Sequence, residues 1–261
     1  MKKILSNIFP YILLLLLIVM WGSSFAALKV SLETIPPLWV MSLRLVIGCL
    51  TITTFFLILR KNLPLTLDFW KWSLIIGFLG FSVPFSIISW GTQFIPSSLV
   101  AILMGANPII TIILAYFFLA DNTLTIRMVI GVFLGLLGII LLIGFGNINA
   151  DLYKAEFIYG QLAVLTGTFS FALASILLKN LPQEHSFERT LGSLICGSII
   201  GLFLAYFFSN SSLEIHEISI KSAVSLTLLG IFSTGIASVI WFKVIALKGP
   251  VFLALVNYLI P

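Results

Sequence analysis

The sequence predicts an all-α integral membrane protein of about nine spans, arranged as two inverted repeats of five transmembrane helices with the second repeat incomplete. Three observations carry that prediction. The 261 residues are 60% hydrophobic and 9% charged, whereas about a quarter of residues are charged in soluble domains. Apolar runs of roughly 20 residues, the length at which a helix crosses the hydrocarbon core, follow one another along the chain. Two stretches, Gly77 to Pro108 and Gly230 to Pro261, also share one layout at a constant offset of 153 residues. Each has an apolar run, a turn marked by proline (Pro96, Pro250), and a second run that reaches a proline well inside it. Identities at that offset are few (Gly77/Gly230, Ile87/Ile240, Ala101/Ala254, Pro108/Pro261), so it is the punctuation that signals duplication.

The first run, from about Ile8 to Leu28, follows Met1, Lys2 and Lys3. Ser24-Phe25-Ala26 offers a signal-peptide cleavage site as an alternative, but the run is as long as a full span and further spans follow it. Runs then occupy 38–59, 71–93, 97–118, 124–145, 157–178, 190–208 and 222–242, and a ninth opens near Val251. In the first repeat, Pro108 is followed by the rest of its span, a polar turn at Asp121-Asn122 and one more span ending near Gly146. No counterpart follows Pro261, so about 38 residues are missing if the repeat holds, and the chain is expected to be C-terminally truncated. The two units are then residues 1–147 and 148–261, the second cut within its fourth helix.

Short cytoplasmic loops collect Lys and Arg. Counted from a cytoplasmic N-terminus, ten basic residues fall inside (Lys2, Lys3, Arg60, Lys61, Lys71, Arg127, Lys179, Arg189, Lys243, Lys248) and three outside (Lys29, Lys154, Lys221). That bias places the N-terminus in the cytoplasm. It also accounts for the net charge of +5, which is scattered between apolar runs and gives no nucleic-acid patch. With five spans per unit, the second unit enters the membrane upside down, and two such halves enclose a cavity that can open to either side in turn.

All nine acidic residues and both histidines (His185, His216) map to loops or span ends. No carboxylate or imidazole lies mid-membrane to serve a proton relay, an intramembrane hydrolase or a metal, so no catalytic residue, metal site or cofactor is expected. Cys49 and Cys196 sit in apolar runs without a spacing motif and read as packing residues.

Arg44 is the one charge inside a span, about six residues from its outer start. Its long side chain can snorkel to the outer interface, face the cavity and attract a substrate carboxylate, or bond a backbone carbonyl between helices. Pro84, Pro108 and Pro261 interrupt spans and should free the carbonyls of Gly80, Met104 and Asn257, either as simple kinks or as hinges that turn polar backbone toward the cavity. Asn107 and Asn257 are the amides nearest those kinks and need partners. Trp39, Trp70 and Trp72 read as interface anchors. Trp90 and Trp241 fit either the interfacial belt or a cavity wall, while Trp21 and Tyr258 are the better candidates for an aromatic lining. Glycines at 131, 135 and 138 and at 192, 197 and 201 mark close helix contacts, within the bundle or across a homodimer.

Trp21-Gly22-Ser23-Ser24-Phe25, an arginine early in the second span, Gly91-Thr92-Gln93-Phe94-Ile95-Pro96-Ser97-Ser98, Asn107-Pro108 and the glycines of the fifth span together resemble the drug/metabolite transporter superfamily, EamA type. The resemblance covers essentially the whole chain. It implies ten helices in two inverted repeats and secondary transport of small metabolites, often export of amino acids or related compounds. Ala120-Asp121 stands where similar proteins usually carry Gly-Glu. The expected substrate path comprises Trp21, Ser24, Arg44, Trp90, Gln93, Asn107, Trp241, Asn257 and Tyr258, with Pro84, Pro108 and Pro261 as hinges. The expected partners are a small-molecule substrate and the lipid bilayer of the bacterial inner membrane. A truncated chain that does not itself transport remains an alternative, as does, with less support, an intramembrane enzyme.

Overall fold

The computed structural model describes residues 2–119, 126–143, 155–182, 185–209 and 213–260, and every regular element among them is helical. In order these are α1 (Lys2–Ser31), α2 (Pro37–Ile58), α3 (Leu67–Gly77), a π-helical stretch (Phe78–Ser82), α4 (Val83–Gly91), α5 (Ser97–Met104), α6 (Asn107–Phe118) and α7 (Ile126–Ile143). Then come α8 (Ala155–Lys179), α9 (Ser186–Phe208), α10 (Ile220–Leu228), a second π stretch (Leu229–Ile236), α11 (Ala237–Lys248), α12 (Pro250–Ala254) and a 3-10 turn (Leu255–Tyr258). The polar residues between runs set the helix starts: Thr66 and Ser219 accept from Phe69 N and Ser222 N, and Pro37 opens α2 with its φ already fixed. Gly249 (φ 85°) makes the sharp turn from α11 into α12.

Among the described residues, six helical segments are long and apolar enough to cross a bilayer: Ile8–Ser31, Pro37–Ile58, Leu67–Gly91, Ala155–Lys179, Ser186–Phe208 and Ile220–Lys248. A shorter apolar segment covers Ile102–Phe118. Large apolar side chains such as Leu57, Phe117, Phe133 and Tyr206 stand exposed on the outside, the surface that lipid covers in a multi-pass membrane protein.

The prolines act differently from the sequence expectation. In the first π stretch, Val83 N bonds Phe78 O, five residues back. In that register the N–H missing at Pro84 would have faced Leu79 O, so Leu79 also loses a partner. Ser170 Oγ of α8 supplies the replacement, donating to Leu79 O at 2.7 Å. Pro108 produces a break instead of a kink: α5 stops at Met104, and α6 restarts at Asn107 with Pro108 in its first turn. Pro261 lies outside the described residues, as do Asp121-Asn122 and Gly146.

Glycines set the helix crossings. A Cβ on Gly77 would lie 2.6 Å from Ser193 O, and one on Gly197 3.2 Å from Gly77 O, so α3 and α9 touch backbone to backbone. At the crossing of α2 with the second π stretch, a Cβ on Gly230 would lie 2.5 Å from Ile47 and 3.2 Å from Arg44 O. Gly192 and Gly201 are also packed, whereas Gly131 and Gly138 meet nothing within 4 Å and mark no contact among the described residues. The main core joins Leu17, Leu45, Ile52, Ile76, Leu194 and Trp241 from α1, α2, α3, α9 and α11.

Candidate functional site

A cavity of about 100 Å³ lies among α1, α2, α4, the α5–α6 break, α8 and the final 3-10 turn. Its walls are apolar and aromatic, from Phe25, Met41, Phe85, Ile88 and Phe171. Its polar groups are Ser24, Arg44, Ser89, Asn107, Thr168 and Asn257, and no carboxylate or imidazole is among the lining residues.

The break at Gly105–Ala106 brings Asn107 to the cavity, and the turn after α12 brings Asn257. Both amides are buried. Asn107 Oδ1 accepts from Thr111 Oγ1 at 3.2 Å, and Asn257 Nδ2 donates to Ala254 O at 3.2 Å, which leaves each amide further groups for a ligand. Ser24 Oγ donates to Trp21 O at 2.6 Å.

Arg44 does not snorkel: it is 6% exposed and points inward. Its Nε donates to Thr234 Oγ1 of the second π stretch at 2.9 Å, and its Cζ stands 4.3 Å from the centroid of the Phe85 ring. No carboxylate among the described residues pairs with it. Beside it, Trp21 Nε1 donates to Ser233 O at 3.2 Å, and Ser233 Oγ donates to Met20 O at 2.8 Å. One π stretch therefore holds both Trp21 and Arg44.

Of the residues singled out from sequence, Trp21, Ser24, Arg44, Pro84, Asn107 and Asn257 line this cavity. Trp241 does not. It is 1% exposed, stacked on Phe171 at 4.8 Å and bonded through Nε1 to Ser175 Oγ. Its helix continues to Lys248, six residues past the end of the apolar run, which places the ring in the core rather than at an interface. Trp90 is exposed and packs edge-on against Phe94, and Gln93 is exposed in the turn before α5. Tyr258 turns away to α7, where its Oη donates to Val132 O at 2.7 Å and its ring fills the space beside Gly135. Sequence reasoning missed Phe85, Ser89, Thr168, Phe171, Ser233 and Thr234. Only Phe85, adjacent to Pro84, had a signal that could have drawn attention to it.

At one end of the bundle Lys61 Nζ meets Glu188 Oε1 at 2.7 Å, and Phe56 stacks on Phe187 at 5.9 Å, tying the end of α2 to the start of α9.

The EamA-like transporter family model matches residues 8–144, more than half of the chain. The chain belongs to the EamA-like transporter family. An uncharacterised transporter of Bacillus subtilis (strain 168), YoaV, is 27% identical over 227 residues, which is 86% of this chain and 75% of that protein. A probable amino-acid metabolite efflux pump of Escherichia coli (strain K12) is 27% identical over 222 residues, 85% of this chain and 70% of the pump. One known crystal structure shares the fold at a TM-score of 0.73 and 19% identity, covering 97% of this chain and 84% of its own. This family member is thus a multi-pass membrane transporter.

Proposed function

We propose that the chain moves small metabolites, amino acids or related compounds, out of the cell by alternating access of two inverted repeats, residues 1–147 and 148–261, with the substrate bound at the cavity. The observation that carries this reading is the cavity's chemistry: one buried cation without a carboxylate partner among the described residues, two amides and an aromatic wall, drawn from both halves of the chain. A carboxylate fits the guanidinium, the amides bond the remaining polar groups, and the aromatic rings cover an apolar side chain. The naming of relatives in Escherichia coli and Salmonella typhimurium as probable amino-acid metabolite efflux pumps supports both the substrate class and the direction.

The offset of 153 residues supports the repeat. Applied to the first π stretch, Phe78–Ser82, it reaches residues inside the second, Leu229–Ile236, and applied to Ser97, the start of α5, it reaches Pro250, the start of α12. The crossing of Gly77 with α9 becomes that of Gly230 with α2. In this reading nine spans are present, the N-terminus is cytoplasmic in the inner membrane, and Lys61–Glu188 closes the cytoplasmic end of the path.

The test is efflux from proteoliposomes loaded with a labelled amino-acid mixture. Loss of label above that from protein-free liposomes is expected. Retention of every amino acid, with release of an unrelated metabolite, would overturn the substrate class.

A further inference from the structure

The 153-residue offset pairs Arg44 with Gly197 and Phe81 with Thr234. In one half, Gly197 meets Phe81, whose Cβ would lie 3.3 Å from a Cβ on the glycine. In the other, the same crossing holds Arg44 and Thr234, joined by a hydrogen bond of 2.9 Å. Phe81 and Thr234 each belong to a π stretch. The Phe81–Gly197 pair is apolar, although Ser82 Oγ donates to Gly197 O at the same crossing, whereas the equivalent pair in the other half carries a charge and a hydroxyl, and Arg44 of that pair lines the cavity.

The partner's chemistry sets what Arg44 can do. Thr234 is fully buried, and its Oγ1 takes the guanidinium by Nε alone. A hydroxyl orients the group without cancelling its charge, whereas an aspartate or glutamate there would neutralise it and occupy it from two sides. Phe85 covers one face of the plane. Among the described residues the guanidinium makes one hydrogen bond, through Nε, and the residue lines the cavity, so its Nη groups are left for a ligand that brings a negative charge. The backbone of Thr234 is itself held, since Ser238 Oγ donates to Thr234 O and the neighbouring Ser233 is bonded to α1.

We propose that Thr234 is the positioning residue of an anion site: it fixes Arg44 through Nε while leaving its charge uncompensated, and so makes the cavity selective for ligands that carry a carboxylate. This rests on the cavity being the substrate site. It assigns the selectivity to a residue outside the lining.

The experiment uses the reconstituted 261-residue chain with three probes of one side chain: L-leucine, N-acetyl-L-leucine and L-leucinamide. Uptake and thermal stabilisation in detergent are both read, for wild type and for Thr234→Val, Thr234→Ser, Arg44→Gln and the double variant Arg44→Gln/Thr234→Val. The two carboxylates should be preferred to the amide. Thr234→Val, which keeps the shape but removes the acceptor, should raise the apparent KM for the carboxylates about tenfold with little change in maximal rate. Thr234→Ser should restore the preference, and Thr234→Val should add nothing once Arg44 is Gln. An unchanged carboxylate preference in Thr234→Val, or an equal loss in the Arg44→Gln background, would overturn the proposal. Carboxylate-specific stabilisation that depends on Thr234 in a chain that takes up no probe would support the anion site and refute the amino-acid transport proposed above. Absence of any carboxylate-specific effect in the wild type would refute the site itself.

Discussion

A guanidinium inside a span must find acceptors, water or a counter-ion, and Arg44 has one hydroxyl and the face of one ring. Replacing it with Gln should leave insertion intact and weaken handling of acidic or zwitterionic substrates by roughly 10- to 100-fold in apparent KM, the loss expected for a charge-assisted contact. Uptake assays with the variant beside wild type check this; equal uptake would remove Arg44 from the site. The sequence singled out Trp21, Arg44, Asn107 and Asn257 because polar or amphipathic groups stand out in apolar runs, and Ser24 through the family-like motif it shares with Trp21; all five reach one cavity. Ser233, Thr234 and Thr168 did not stand out. A Ser or Thr in a span can satisfy itself on its own helix, as Thr168 does by donating to Val164 O, so its presence carries little signal until its neighbours are known.

At the scale of elements, the glycines separate into two kinds that spacing alone could not tell apart. Gly77→Ala would place a methyl 2.6 Å from the Ser193 carbonyl, a backbone atom that cannot step aside, and should cost about 1–3 kcal/mol. Gly131→Ala meets open space and should be neutral or stabilising by up to about 1 kcal/mol through helix propensity. Thermal unfolding of the two variants in one detergent measures the contrast, and similar melting points would refute the assigned crossing. Gly249→Ala forces a side chain onto φ 85° and should lose about 1–2 kcal/mol in the same assay. The prolines were legible as interruptions, but not the form the interruption takes. Whether a missing N–H yields a π turn or a break depends on which neighbour supplies the lost bond, and for Leu79 that neighbour is Ser170, 91 residues along the chain.

For the whole molecule, the Lys61–Glu188 bridge is half-exposed at the lysine, so it should add less than about 1 kcal/mol to stability. In the alternating-access reading proposed above, its role would be to bias which end of the path is shut. A carbodiimide, which condenses an amine in direct contact with a carboxylate to an amide, should join Lys61 to Glu188 and arrest transport in the wild type. Lys61→Arg should escape the arrest while transporting normally; arrest of both would show that the bridge is not the point of closure. By itself, the sequence determined that the chain lives in a bilayer, is helical, and carries Arg44, Asn107 and Asn257 inside apolar runs, because hydropathy and hydrogen-bond satisfaction in lipid favour helices there. The tertiary structure alone decided which of those groups meet. Trp241 went to the core and Tyr258 to α7, while Thr234 came to Arg44 across 190 residues of sequence. Helix-to-helix contacts are set by where glycines let backbones touch and where π turns rotate a face, and neither is encoded in the apolar period of any one helix.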